Sequence, residues 1–320
     1  HAPIIPTIDI PNCFGDEKIS KEDAYLEYLS FSKAKQIYGE SLPEDVPDRL
    51  KFELEVIKKR GASGYFLFLQ DVVNTAQLEL GVWVGPGRGS AAGSLVCYCL
   101  GITKIDPLKH DLLFERFLSI EGTIFPDIDI DFDDEGRDCV LEWLQQKYGK
   151  DCCAHIVSFS TFSTANAFST IARVNQLHTP ETMAVNYCRS IKDTIKNEPG
   201  LKKLIRKAGL PLNNAIDNTA VLERKIRGLG IHACGFIVAN DPITNWAPIS
   251  TVSIGDSNGN DEILRCVQYE GMRVESSGLI KFDFLGLKTL SQMRDICLLI
   301  KTRRNENFNI DVIPIDDEKT

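Results

Sequence analysis

The sequence predicts an α+β chain. Three observations carry that prediction. Apolar residues at helical spacing mark segments near 21–38, 48–60, 65–80 and 138–148. Short runs rich in Val, Ile and Phe mark strands at 82–84, 235–239, 265–269 and 279–282. Between them, Phe125 to Phe132 reads Phe-Pro-Asp-Ile-Asp-Ile-Asp-Phe, a strict acidic/apolar alternation with the period of a strand.

The 320 residues are 43% hydrophobic and 25% charged, which is globular composition with room for one large or two modest domains. No apolar run approaches the ~18 residues of a membrane span, and no signal peptide is visible. Because the first residue is His1, we expect an excised piece of a longer protein. The ten cysteines form no CxxC pair and no zinc-like spacing with His, so they read as free or buried thiols in a reducing, cytoplasmic setting. A net charge of −9 argues against a general nucleic-acid-coating protein. Residues 161–230, however, hold 11 Lys/Arg against 5 Asp/Glu, either a contact for a phosphate backbone or a solvated helix face.

In chain order, a helix is expected from Lys21 to Tyr38. A second spans Asp48 to Arg60, with Asp48 as N-cap and Gly61 as stop. A third runs from Tyr65 to Leu80 and ends at Gly81. The strand Val82–Val84 leads into Gly85-Pro-Gly-Arg-Gly-Ser-Ala-Ala-Gly-Ser94, followed by a helix from Ala91 to about Leu100. Phe114–Leu118 is compact and apolar. Residues 160–228 read as mainly helical, with their densest basic cluster at Lys202, Lys203, Arg206 and Lys207. The last strand, Leu279–Phe282, is expected to end just before Asp283. No internal repeat or low-complexity segment is present.

On the acidic strand, Ile128, Ile130 and Phe132 face one side and Asp127, Asp129 and Asp131 the other. Same-face carboxylates roughly 6.6 Å apart repel each other. A divalent cation with oxygen ligands (Mg²⁺, Ca²⁺ or Mn²⁺) removes that repulsion. Two such Asp residues can hold a metal pair about 3.5–4 Å apart, the arrangement of in-line phosphoryl or nucleotidyl transfer. The plainer reading is a solvated acidic edge strand. A calcium loop is disfavoured, since positions six and twelve from Asp127 hold Phe132 and Asp138 instead of Gly and Glu.

The Gly85–Ser94 run joins a strand to a helix. Its glycines let backbone N–H groups approach an anion, the helix N-terminus adds positive potential, Ser90 can donate, and Arg88 offers a charge-assisted contact. It fits neither a Walker A loop nor a dinucleotide fingerprint, and a tight structural turn is its plain alternative. Lys281–Leu287 supplies a further carboxylate, Asp283. Arg227, Gly230 and His232 form a second glycine-rich turn with cationic or donor side chains.

Together, Gly85–Ser94, Asp106-Pro107 followed by Leu112–Leu118, Pro126–Phe132 and Lys281–Leu287 resemble the alpha subunit of bacterial DNA polymerase III, the C-family replicative polymerases. The resemblance is weak before Asp48 and good from there to about Leu290. It implies a polymerase-beta-like nucleotidyltransferase palm, a mixed sheet with flanking helices, with an inserted, mainly helical thumb. Residues 1–160 would be the first part of the palm, 161–228 the thumb, 229–290 the second part of the palm, and 291–320 the start of the fingers. It implies Asp129, Asp131 and Asp283 as catalytic ligands of two Mg²⁺ ions, which Mn²⁺ can replace, with Asp127 a neighbour. Arg88, Gly89, Ser90, Lys281 and His232 would bind the triphosphate of a dNTP, and Lys202, Lys203, Arg206 and Lys207 the primer–template backbone. Other replicative subunits and a sliding clamp would be partners through regions outside this chain, at the bacterial nucleoid. The chain departs from the family pattern at Ser119–Gly122, Ser160, Ile231 and Cys234. A small-substrate nucleotidyltransferase and a catalytically inert DNA- or nucleotide-binding module are the rival expectations.

Overall fold

A computed structural model describes residues 3–15, 19–121, 125–175, 210–255 and 261–313. Helix α1 (Lys21–Tyr38) starts where Ser20 is extended and its hydroxyl accepts from the Asp23 N–H at 3.1 Å. Helix α2 (Asp45–Lys59) begins three residues before the expected cap. Asp48 lies inside its first turn, where its charge complements the dipole, and Pro47 needs no N–H partner there. Helix α3 (Ser63–Leu78) carries Tyr65, Phe66, Leu67, Phe68 and Leu69 in unbroken succession, all buried. This run is apolar all round and sits in the core, whereas Gln70, Asp71, Asn74 and Gln77 form a partly exposed polar stripe along the rest of the helix.

The expected strand at 82–84 reduces to one antiparallel bridge, Val84 to Phe132. It is flanked by Gly85 N–H to Asp131 O at 2.8 Å and Asp133 N–H to Trp83 O at 2.9 Å. The expected helix 91–100 is split. A 3₁₀ turn spans Gly89–Gly93, Ser94 is extended, and helix α4 covers Leu95–Cys99. The break exists because the Ser94 hydroxyl caps α4, accepting from the Cys97 N–H at 3.2 Å.

Strand β1 (Asp129–Asp133) is followed by α5 (Gly136–Tyr148), β2 (Cys153–Thr161), α6 (Thr164–Val174), α7 (Leu210–Leu222) and β3 (Ile226–Val238). Strands β4 (Ile249–Gly255) and β5 (Asp261–Val267), helix α8 (Gly271–Ser276), strand β6 (Lys281–Leu287) and helix α9 (Lys288–Arg304) complete the described elements. β2 and β4 escaped the sequence reading. The first five residues of β2 are all buried, so no alternation marks it. β6 starts two residues later than expected, which puts Asp283 inside the strand instead of beyond its end.

The six strands form one mixed sheet in the order β1-β6-β3-β2-β5-β4. β1 and β6 run parallel, with Asp129 beside Asp283 and Ile130 beside Phe284. β3 is antiparallel to β6, with Gly235 beside Asp283. Alternation along β6 puts Phe282 and Phe284 on the face opposite Asp283. There the Phe282 ring stacks on Tyr65 at 5.8 Å and on Phe284 at 5.9 Å, and Phe284 meets Phe132 edge-on at 5.7 Å. Full burial of each such ring is worth about 1.5–3 kcal/mol, so the aromatic face fixes the strand pair that carries the carboxylates.

The chain divides into two compact units, His1–Ile156 with His232–Thr320, and Val157–Ile231. The first holds the glycine loop, the acidic strand, His232, Cys234, Lys281 and Asp283. Within the second, Phe162 exchanges backbone hydrogen bonds of 2.9 Å with Arg224 and Lys225, and the Thr164 hydroxyl pairs with Glu223. Lys202, Lys203, Arg206 and Lys207 lie outside the described residues. Among the described residues, no helix is long and apolar enough to cross a membrane.

Candidate active site

The glycine-rich loop is fastened to the acidic strand through its backbone. A Cβ on Gly85 would lie 3.1 Å from the Asp131 Cβ, and the Lys104 N–H donates to Pro86 O at 2.8 Å. Gly87 has φ +96°, and a Cβ there would meet Thr103 Cγ2 at 2.7 Å, so only glycine fits this turn. Gly89 has φ +66° and faces Asp129, with a would-be Cβ 3.8 Å from Oδ2. Between these glycines, Arg88 Nη1 pairs with Asp129 Oδ2 at 2.8 Å and Nε with Asp131 Oδ1 at 3.1 Å. Burial alone would lower the guanidinium pKa, but the two carboxylates outweigh it and raise it.

One expectation fails here. The helix after the loop was expected to offer its N-terminus to an anion. That N-terminus is already occupied by Glu53, whose side chain is fully buried. Glu53 Oε1 accepts from the Leu95 N–H at 3.0 Å and Oε2 from the Val96 N–H at 3.0 Å and the Ser94 hydroxyl at 2.8 Å. Arg49 Nε adds a fourth bond at 2.6 Å, while its Nη2 donates to the carbonyls of Gly93 and Leu112. Burial pushes the Glu53 carboxyl up, against the pull of these donors. The protein supplies its own anion to α4, so a bound phosphate is left with Arg88, the loop N–H groups and Ser90.

Asp129 and Asp283, side by side on parallel strands, point to the same face. With Asp127 they bring one carboxylate oxygen each within 4.8 Å of the others. Asp131 belongs to neither of the clusters that approach so closely among the described residues, and its Oδ1 is turned to Arg88. Lys281 Nζ holds Asp283 Oδ2 at 2.7 Å, and Asp283 Oδ1 is buried without a hydrogen-bond partner. Desolvation raises the Asp129 carboxyl, with Arg88 opposing and Asp283 and Asp131 reinforcing. Asp127 is open to solvent by area, yet its carboxyl is also raised, by desolvation first and then by Asp283 and Asp129 against Lys281. Lys281 is itself raised: burial lowers it, and the bond to Asp283 more than compensates. A cavity of about 550 Å³ opens on this side, lined by Arg60, Phe125, Asp127, Glu275 and Lys281.

His232 sits at the same edge. Its Nδ1 accepts from the Gly235 N–H at 2.8 Å, and its ring lies beside Cys234 and Asp283. The expected glycine-rich turn is instead part of strand β3, which runs unbroken from Ile226 and carries Arg227, Gly230 and His232. Arg227 and Gly230 belong to the second compact unit, where the Arg227 guanidinium lies 5.9 Å from the Phe162 ring centre. Ser90 is exposed on the loop.

Three features escaped the sequence reading. Glu53 is one of several carboxylates on α2, and no local pattern separates it from the exposed ones; only its burial does. Asp133 is fully buried at the end of β1, where it accepts from the Trp83 and Gly136 N–H groups and pairs with Arg294 Nη1 at 2.7 Å. Arg294 also reaches Glu135 at 2.7 Å, tying α9 to the end of the acidic strand. The sequence signal for Asp133 is that it continues the acidic/apolar alternation by one more step, at the end of β1. Cys234 beside Asp283 is the third.

The family model described as the bacterial DNA polymerase III alpha NTPase domain matches residues 24–286. The DNA polymerase III subunit alpha of Yersinia pestis is 36% identical over 275 residues, 85% of this chain and 23% of that protein. That of Thermus aquaticus is 37% identical over 286 residues, 87% of this chain and 22% of that protein. That of Aquifex aeolicus is 33% identical over 351 aligned positions, 99% of this chain and 29% of that protein. The chain thus spans about a quarter of the length of these relatives. With a matched segment that contains the glycine loop, the acidic strand and Asp283, the chain belongs to the bacterial DNA polymerase III alpha NTPase domain family.

Proposed function

We propose that this chain is the palm and thumb portion of a bacterial replicative DNA polymerase, in which a nucleotide is transferred from a dNTP to a primer 3′-OH. The observation that carries the reading is the pairing of Asp129 with Asp283 on adjacent strands, beneath a glycine loop whose Arg88 already engages Asp129 and Asp131. The residues fit a hard divalent cation: the converging donors of Asp127, Asp129 and Asp283 are all carboxylate oxygens, and Asp283 Oδ1 is buried without a partner. Asp129, Asp131 and Asp283 would hold two Mg²⁺ ions, or Mn²⁺ in their place. Bound there, such ions would supply Lewis-acid charge to lower the pKa of the 3′-OH and to neutralise the leaving pyrophosphate.

The chain's own residues do the rest. Arg88 gives up its carboxylates to pair with the incoming triphosphate. Gly89 lets the backbone approach the phosphates, and the Ser90 hydroxyl donates to them. Lys281 orients Asp283 and adds a positive charge beside the phosphates, and His232 contributes a ring N–H from β3. The palm would comprise 1–160 and 229–290, the thumb 161–228, and the fingers would begin at 291. Lys202, Lys203, Arg206 and Lys207 would grip the primer–template backbone. Other replicative subunits and a sliding clamp would dock on regions beyond this chain, in the cytoplasm at the nucleoid.

A second reading has its own observation. Arg88 occupies oxygens that metal ions need, which favours a chain that is inert in isolation and becomes competent when nucleotide draws Arg88 away. Titration with Mn²⁺ and dNTP, comparing the wild-type chain with the Asp129→Asn/Asp131→Asn variant, tests the site. Metal-dependent nucleotide binding that disappears in the variant is expected. Equal binding by both proteins overturns the assignment of these carboxylates.

A further inference from the structure

Beside the all-oxygen cluster lies a second one of different chemistry. One ligand atom each from His232, Cys234 and Asp283 falls within 4.8 Å of the others. Asp283 belongs to both clusters, and its Oδ1 is buried and unpartnered. The thiol Sγ of Cys234 lies 3.6 Å from His232 Nδ1. Two ligands on one tetrahedral zinc, with Zn–S about 2.3 Å and Zn–N about 2.0–2.1 Å, stand roughly 3.5 Å apart. The pair is therefore already spaced as ligands of a single ion.

We propose that His232, Cys234 and Asp283 form a site for a borderline-soft divalent cation of the Zn²⁺ class, distinct in chemistry from the hard-cation cluster of Asp127, Asp129 and Asp283. A thiolate, an imidazole and a carboxylate together suit Zn²⁺ and Co²⁺, whereas the thiolate and imidazole are poor partners for Mg²⁺. The thiol proton leaves to solvent as the S–metal bond forms. His232 Nδ1 exchanges the hydrogen bond from Gly235 N–H for the metal bond. All three ligands lie on paired strands: His232 and Cys234 are on β3 and Asp283 on β6, and the β3–β6 register sets Gly235, next to Cys234, beside Asp283. The fourth position stays open to water. If the polymerase reading also holds, an ion here withdraws Asp283 from the hard-cation cluster, so trace Zn²⁺ opposes Mg²⁺.

Co²⁺ is the probe, because a cobalt–thiolate bond gives a charge-transfer absorption that oxygen and nitrogen ligands alone do not. The chain is titrated with Co²⁺, and Zn²⁺ or excess Mg²⁺ is then added. One equivalent with a thiolate band is expected, bleached by Zn²⁺ and resistant to Mg²⁺. Cys234→Ser should abolish the band, whereas Cys139→Ser, at an exposed thiol, should leave it unchanged. His232→Gln should weaken Co²⁺ binding at least about tenfold, since loss of a direct ligand costs no less than loss of an outer partner. It also decides the matter if Cys234→Ser fails to fold. A band that survives Cys234→Ser, or no band in the wild type, overturns the proposal. The readout involves neither nucleotide nor DNA, so its failure is distinguishable from failure of the polymerase reading.

Discussion

Replacing Glu53 by Gln tests how the glycine loop is held. Gln keeps the volume but turns one acceptor oxygen into a donor. Because Oε1 serves Leu95 N–H and Oε2 serves Val96 N–H, either amide orientation leaves one backbone donor facing an N–H. An orphaned buried donor costs about 1–3 kcal/mol. Loss of the charge opposite Arg49 removes a charge-assisted bond worth about 1.5–3 kcal/mol, part of which Arg49 recovers through the Gly93 and Leu112 carbonyls. The expected loss is about 3 kcal/mol for Glu53→Gln. For Glu53→Ala it is about 5 kcal/mol, since all four donors lose their acceptor. Against the ~5–15 kcal/mol that a domain commands, the Ala variant approaches the limit of folding. Urea unfolding at pH 7 with tryptophan fluorescence is the assay. Trp83 donates its backbone N–H to Asp133, so it reports on the strand the loop is fastened to. A loss below about 1 kcal/mol for Glu53→Gln would refute the reasoning, because it would mean that Glu53 is already a neutral acid and that the loop needs no anion behind it.

Two other perturbations follow from the same geometry. His155 is buried beside Arg137, and desolvation first, then that cation, lowers its pKa from 6.5 to about 4. The folded state therefore binds its proton less readily than the unfolded chain. The stability present above pH 6.5 is lost as pH falls toward 4, amounting to about 3 kcal/mol at the lower end. His155→Gln should flatten that part of the stability–pH curve, and an unchanged acid slope in the variant would exclude His155 as the cause. Arg88→Ala frees Asp129 and Asp131 from two partly exposed ion pairs worth together about 1–2 kcal/mol. Mn²⁺ should then bind the nucleotide-free chain about tenfold more tightly by calorimetry, while dNTP binding weakens. Looser Mn²⁺ binding would show that Arg88 supports the metal site instead of competing for it.

What the sequence revealed was set by local periodicity. Ile128, Ile130 and Phe132 are buried opposite the aspartates, as period-two alternation requires. Helix α1 and, to within two residues, the extent of α3 followed from local pattern alone. Features set by distant pairing were illegible. That Asp283 stands beside Asp129 depends on a strand register across more than 150 residues, and no local pattern encodes it. β2 was lost because burial on both faces erases alternation. The break at Ser94 was lost because the hydroxyl that caps α4 is itself held by Glu53, some forty residues upstream. The polar residues that hold the loop are therefore the ones whose roles appear only in the folded chain.

The electrostatics of the acidic face carry one further step. Asp127, Asp129, Asp131 and Asp283 place four carboxylates around the ends of β1 and β6, and among the described residues only Arg88 and Lys281 pair with them. Two cations against four anions leave two negative charges uncompensated at a partly desolvated surface. The raised carboxyls of Asp127 and Asp129 express that excess, since desolvation and neighbouring carboxylates together outweigh Arg88 and Lys281. As a structural device the arrangement is costly. One divalent cation restores neutrality without moving Arg88 or Lys281. A second would exceed it unless a polyanion arrived with it, and a nucleoside triphosphate is such an anion. It would draw Arg88 off Asp129 and Asp131 in the same step. On this charge count the second ion and the nucleotide bind together, so Mn²⁺ stoichiometry should rise from one to two only when dNTP is present. Two tightly bound ions in the nucleotide-free chain would contradict the coupling.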